Sequence, residues 1–162
     1  MNRSLLVAIA IAGSLVLLGG AFAFEHIGGM PPCKLCIWQR WAHFGAIAAG
    51  LAAIALGRTR AFAVLGGLAV LFGAGVAGYH AGVEQQWWTG PETCAALPPA
   101  AMSAEERLDE LLQTPVIRCD DIPGSLAGVS MAGWNGLISL VLAWIWLQAV
   151  LARRGSEMSS AS

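Results

Sequence analysis

The chain has 162 residues, 57% of them hydrophobic and only 12% charged, with a formal net charge of −1. So apolar a composition excludes an ordinary soluble domain, and nothing in it suggests a nucleic-acid-binding surface. A helix needs roughly 20 apolar residues to cross a hydrocarbon core of about 30 Å. Runs at Leu5 to Phe24, Ile37 to Leu56, Ala61 to His80 and about Leu126 to Ala152 meet that requirement. They are apolar all round rather than along one stripe. The expectation is an all-α membrane protein: one integral domain over residues 1–162, built as a four-transmembrane-helix bundle in a lipid bilayer.

In chain order, the first run follows Arg3 and ends beside Ala21-Phe22-Ala23, which mimics a signal-peptide cleavage site. Because the run is long enough to span and continues through Phe24, we expect it to remain; cleavage there would leave the cysteines on the same side. Arg3, Arg58, Arg60, Arg153 and Arg154 flank one set of helix ends, with Glu157 the only acid among them. The other ends carry Lys34, Arg40, Arg107 and Arg118 among nine acids. Basic residues near span ends mark the cytoplasmic side. Both termini are therefore expected in the cytoplasm, with loops at about 25–36 and 81–125 outside and all four cysteines in or beside them.

Pro31 and Pro32 cannot extend a preceding helix but lead readily into a new one. This places Cys33 and Cys36 at the entrance to the second span. Gly57-Arg58-Thr59-Arg60 is a tight connection that makes the second and third spans antiparallel. In the long outer loop, Ser103 to Gln113 begins with a capping-box pattern, and Leu108, Leu111 and Leu112 form an apolar stripe. A short amphipathic helix is expected there, resting against the protein. Small residues recur every fourth position in Ala42-Ala46-Gly50, Ala74-Gly78-Gly82 and Gly128-Ala132-Gly136, the pattern that lets helices approach closely in lipid.

Cysteines outside the cytoplasm are usually oxidised. A structural bridge between Cys94 and Cys119 would close a useful loop. A bridge between Cys33 and Cys36 would constrain almost nothing, and Cys-x-x-Cys more often signals redox exchange or metal binding. Metal is the weaker reading, because the second cysteine pair is widely split and no histidine adjoins it; we assign no metal ligand. Covalent haem attachment fails because Ile37, not histidine, follows Cys36. Redox chemistry suits the surroundings: a helix start favours a thiolate, and Cys36 lies there. Arg40 follows on the same face, about 6 Å deeper. A cation at that depth is costly and marks a functional pathway more often than it merely snorkels.

The constellation resembles the disulfide bond formation protein B (DsbB) family over nearly the whole chain. "PPCKLCIWQR" carries the Cys-x-x-Cys and the arginine four residues later, while "YHAGVEQQWWTGPETC" and "PVIRCD" look like the family's second-loop segments. The resemblance implies a membrane thiol:disulfide oxidoreductase of the bacterial inner membrane. Such an enzyme reoxidises a DsbA-like periplasmic thiol oxidase and passes two electrons to the membrane quinone pool. It also implies disulfides Cys33–Cys36 and Cys94–Cys119. Cys94 would receive the partner's attack, Cys119 would attack Cys33, and Cys36 would be released as a thiolate beside quinone. Arg40 would hold a quinone oxygen, and His80 would be a second quinone contact; ubiquinone is favoured over menaquinone.

Other polar and aromatic residues are assigned smaller parts. His43 reads as a polar bundle residue, Glu84 and Trp88 as interface residues, Trp134 and Asn135 as packing and interhelical hydrogen bonding, and Trp144 and Trp146 as lipid-facing or packing residues. The rival functions are a related oxidoreductase with another thiol partner or running toward reduction, including a vitamin K epoxide reductase-like enzyme, and a scaffold whose cysteines only staple its loops.

Overall fold

A computed structural model describes residues 2–57, 59–91 and 118–152, together with residues 103, 105 and 109. Four helices account for most of it: α1 (Arg3–His26), α2 (Lys34–Ala55), α3 (Thr59–Glu84) and α4 (Met131–Leu151). Each of α1, α3 and α4 is long and apolar enough to cross a membrane, which makes this a multi-pass membrane protein. At 22 residues α2 has the length, but Lys34, Gln39, Arg40 and His43 crowd its first half. Apart from Lys34, exposed at its start, its polar side chains turn inward instead of toward lipid: Gln39 and His43 are buried, and Arg40 pairs with Glu25 of α1. The expected loop helix over Ser103 to Gln113 falls, apart from three of its residues, outside the described residues.

The helices form a ring. α1 packs on α2 and α4, α3 packs more extensively on the same two, and α1 barely touches α3 across the diagonal. Half of the core residues are alanines, Ala10, Ala46, Ala53, Ala63, Ala143 and Ala149, packed with Leu6, Val7, Ile11, Val70 and Leu142. Trp146 is fully buried among them. It fits because α3 turns glycine toward it: a Cβ on Gly66 would sit 2.6 Å from the indole. Close approach through small residues is the main packing device available where lipid competes for every apolar surface.

The sequence rows are confirmed unevenly. Ala42, Ala46 and Gly50 are all buried. On α3, Ala74 and Gly82 are buried while Gly78 is exposed, and Ala63, Gly66, Val70, Gly73 and Ala77 are buried or in close contact as well. On α4, Gly128 lies before the helix, in a turn.

The fourth helix starts five residues later than the apolar run. Residues 125–130 instead form a hairpin, β1 (Ser125–Leu126) antiparallel to β2 (Val129–Ser130), with Leu126 opposite Val129. Its two turn residues, Ala127 and Gly128, both have positive φ (52° and 76°), which the right-handed twist of a two-residue hairpin demands. Ser130 then caps α4, its hydroxyl accepting from Gly133 N at 3.1 Å. Trp134 Nε1 donates back to the Leu126 carbonyl at 2.9 Å, tying the hairpin to the first turn of the helix.

The two ends of the bundle differ chemically. Arg3 donates to the carbonyls of Ala149 and Ala152, so the start of α1 neutralises the carbonyl end of α4 at one end. The opposite end gathers the start of α2, the finish of α3 and the segment before the hairpin. There a second buried cluster comprises Cys33, Leu35, Val83 and Cys119, with Cys36 and Val76 against it.

Candidate functional site: a dithiol beside a buried histidine

Pro31 and Pro32 bring the chain into α2 in extended form, and Cys33 becomes the helix N-cap (φ −74°, ψ 171°). Its sulfur accepts from the Cys36 backbone N–H at 3.2 Å, the bond that serine or asparagine usually makes at this position. Cys36 lies within the first turn. The two are free thiols with their sulfurs 2.9 Å apart, beyond the ~2.05 Å of a disulfide bond yet close enough to form one after a small rotation. Cys33 is buried and Cys36 partly so.

Cys36 was to benefit from the helix start, whereas the amide hydrogen bond goes to Cys33. The Cys33 thiol is held well below the usual thiol range, first by its hydrogen bond with the Cys36 side chain, then, against the opposing effect of burial, by His80 and the Cys36 amide.

His80, in the penultimate turn of α3, is 3% exposed. Its Nε2 lies 3.6 Å from Cys33 Sγ, and its ring also meets the backbone of Cys119. The imidazole thus stands between the Cys-x-x-Cys and a cysteine of the second loop. Cys119 is itself buried and disulfide-bonded. Cys94 lies outside the described residues.

A chain of hydrogen bonds fixes that ring. Asn135 Nδ2 of α4 donates to Gln39 Oε1 at 2.6 Å, which turns the Gln39 amide nitrogen toward His80 Nδ1 at 3.0 Å. An amide N–H there makes Nδ1 the acceptor and leaves the ring proton on Nε2, pointing at the sulfur. Asn135 Oδ1 lies 3.2 Å from His43 Nε2, and His43 reaches Ser14 of α1 and Ser139 of α4, both at 3.4 Å. A polar thread therefore runs from the thiols to all four helices. His43 has the bundle role expected of it, and Asn135 makes the expected interhelical bond.

Arg40 departs from the thiols toward α1. It ion-pairs with Glu25, donates to the Ala21 carbonyl at 3.2 Å and stacks over the Phe22 ring at 4.8 Å from its centroid. Large apolar side chains on the same half of α2 face outward, including Ile37, Trp41 and Phe44. A separate apolar groove of about 450 Å³ opens between α2 and α3, lined by Lys34, Leu35, Trp38, Phe72, Val76 and Tyr79 among others. None of Cys33, Cys36, Cys119, Arg40 and His80 borders it.

Two residues beside His80 were not assigned to the site from the sequence. Glu84, expected at an interface, is 7% exposed and lies one turn beyond His80, with Oε1 3.9 Å from Nε2 and Oε2 buried without a hydrogen-bond partner. The available signal was its spacing, four residues after a histidine in an apolar helix. Gln39 carried a similar signal, three residues after Cys36. Trp88 behaves as expected of an outer-end aromatic: it stacks on Tyr79 and donates to the Tyr79 carbonyl at 2.9 Å. Trp144 faces outward, whereas Trp146 packs inside.

The family model for disulfide bond formation protein DsbB matches residues 2–149. Among curated relatives, disulfide bond formation protein B of Shewanella amazonensis is 33% identical over 150 residues, 88% of this chain and 87% of its own. The Herminiimonas arsenicoxydans protein of the same name is 32% identical over 162 residues, covering 94% and 98%. That of Stutzerimonas stutzeri is 30% identical over 159 residues, covering 89% and 93%. No solved structure is a significant match. With its membrane-spanning helices and a paired thiol at one end of the bundle, the chain belongs to the DsbB family of disulfide bond formation proteins, thiol oxidoreductases of the membrane.

Proposed function

We propose that this protein reoxidises a DsbA-like dithiol oxidase of the periplasm and passes the two electrons to quinone in the inner membrane. Both termini would then be cytoplasmic, and the cysteine loops periplasmic. The observation that carries the reading is the position of His80, against Cys33 on one side and Cys119 on the other. Two thiol pairs that exchange with each other must bring one sulfur of each together, and a merely structural loop staple has no need of a reactive dithiol beside it.

In this scheme Cys94 takes the attack of the partner's thiolate, forming a mixed disulfide and displacing Cys119 as a thiolate. Cys119 attacks Cys33 of an oxidised Cys33–Cys36 pair, so one S–S bond forms as another breaks, and Cys36 leaves with the electron pair. With Cys33 engaged by Cys119, Cys36 is the sulfur left at the helix start, where the first-turn amides favour its charge. The partner's second thiolate then attacks the mixed disulfide, so the partner leaves oxidised and Cys94 is freed. Cys94 attacks Cys119, restoring Cys94–Cys119 and leaving Cys33 and Cys36 as the reduced pair, whose reoxidation needs a two-electron acceptor.

A bound quinone, ubiquinone ahead of menaquinone, supplies the two-electron acceptor for that last oxidation. The residues fit such a group. Arg40 has five N–H donors in a planar fork, and its contacts with Glu25 and Ala21 leave others for a carbonyl oxygen. The outward Ile37, Trp41 and Phe44 give a lipid-soluble ring an apolar approach to the same half of α2.

Turnover of purified protein in detergent tests the reading. Reduced DsbA-like protein and ubiquinone should be consumed in equal amounts, and Cys36→Ser should abolish quinone reduction. Undiminished turnover in that variant would overturn the assignment.

A further inference from the structure

A thiol that ionises inside a bundle must give its proton to something. At Cys33 the obvious base is already committed: with Gln39 donating to Nδ1, His80 presents Nε2–H to the sulfur, where it stabilises a thiolate but has no lone pair for the thiol proton. The facing ionisable groups, taken element by element among the described residues, leave one candidate. The start of α2 offers Cys36, which shares the pair's own protons. Arg40, one turn deeper, is a cation tied to Glu25 of α1. The segment before the hairpin brings the Cys119 backbone, while the Arg118–Asp120 ion pair beside it is at the surface. The contact from α4 is the neutral Asn135, acting through Gln39. From α3 comes Glu84, whose side chain is 2% exposed.

Burying a carboxyl group is expensive unless its oxygens are paired, and unpaired buried polar atoms need an explanation. Glu84 Oε1 lies 3.9 Å from His80 Nε2, beyond hydrogen-bond length, and Oε2 has no partner at all. An unpaired carboxyl oxygen buried one turn from His80 is placed to take up a proton.

We propose that Glu84 is the proton acceptor of the dithiol site, taking up the Cys33 proton as the thiolate forms, with His80 as the hydrogen-bonding station between them. The Nε2 proton of His80 moves to Glu84 Oε1 as the Cys33 proton replaces it on the same nitrogen. The S–H bond of Cys33 breaks, an O–H bond forms on Glu84, the imidazole ends as it began, and no electrons change hands in this step. The buried site keeps the same net charge before and after, which avoids adding a second desolvated anion beside the first. The idea rests on the redox reading of Cys33 and Cys36, but not on quinone or on the partner protein.

The test is the pH profile of alkylation in the reduced, detergent-solubilised chain, with Cys33 and Cys36 followed separately by peptide mass. Glu84→Gln should move the Cys33 profile to lower pH by about one unit, a roughly tenfold gain of rate on its acidic limb, because the neutral amide removes the anion that faces the thiolate, while the alkaline rates converge. Glu84→Asp, which keeps the carboxyl group, should reverse much of the shift. Superimposable profiles would overturn the proposal, and so would a uniform loss at every pH, the mark of a structural role. A second measurement keeps the wild-type chain: the reduced-minus-oxidised infrared difference spectrum should contain a protonated-carboxyl C=O band that moves in Glu84→Asp. Absence of that band, or a band indifferent to residue 84, would equally overturn it. Loss of quinone turnover with these signatures intact would instead count against the proposed electron acceptor alone.

Discussion

At the residue scale, the chemistry turns on which sulfur carries charge. Cys33 accepts an amide hydrogen at the start of α2 and faces His80 Nε2, so reduced Cys33 should be alkylated faster than Cys36 at neutral pH. The sign follows from the lowered value: Cys33 remains ionised below the usual thiol range of about 8.5 and loses its charge only as the pH falls through the depressed value. The same shift makes the reduced fold gain stability with rising pH up to the unfolded thiol value, and lose it on acidification. His80→Phe removes the imidazole donor and should push Cys33 alkylation toward higher pH; an unchanged profile would mean the N-cap and Cys36 alone set it. Arg40→Ala should raise KM for quinone by about tenfold while leaving exchange at Cys94 near its original rate, as loss of one charge-assisted hydrogen bond implies. Equal loss of both would make Arg40 a structural partner of Glu25. The dithiol at the start of α2 was legible in the sequence because Cys-x-x-Cys after two prolines is a local signal, whereas the Glu25 partner of Arg40, fifteen residues away, was not. The ranking of the sulfurs was not, since it depends on which residue becomes the N-cap.

At the element scale, packing rests on glycines facing large side chains. Trp146 is fully buried, and its indole nitrogen has no hydrogen-bond partner. Trp146→Phe should therefore cost far less than Trp146→Ala, which should cost roughly 3 kcal/mol, the low end for a buried aromatic, because lipid competes for the apolar surface. Thermal unfolding in detergent distinguishes them; equal losses would place Trp146 outside the core. Ala127 holds a left-handed φ of 52° in the hairpin turn, so Ala127→Gly should stabilise the hairpin by about 1 kcal/mol, read from slower amide exchange at Val129 and Ser130. The helices themselves were readable from apolar runs. The hairpin was not: Leu126 to Ser130 is apolar enough to pass for the start of a span, and only Gly128 hinted at a turn. The α3 packing face was read only in part for a related reason: Ala74 and Gly82 are buried, but small residues spaced by four occur on several faces of one helix and only the neighbours decide which is used.

At the scale of the whole molecule, the bundle separates its ends by function. Arg3 and the close of α4 meet at one end, while Cys33, Cys36, His80, Glu84 and Cys119 meet at the other. Between them runs the thread Gln39, Asn135, His43, Ser14 and Ser139, which engages every helix and holds the imidazole in one orientation. Charge asymmetry in the sequence foreshadowed the two ends, because basic residues sort by side of the membrane. The thread was visible only as scattered polar residues in apolar runs, whose partners lie up to 96 positions away. The account stands on direct communication between the loops. In a chain carrying Cys36→Ser and Cys94→Ser, the remaining Cys33 and Cys119 should join under mild oxidation, giving a single crosslinked peptide by non-reducing mass spectrometry. Two sulfurs that stay free under those conditions, in a protein that is still folded, would contradict it.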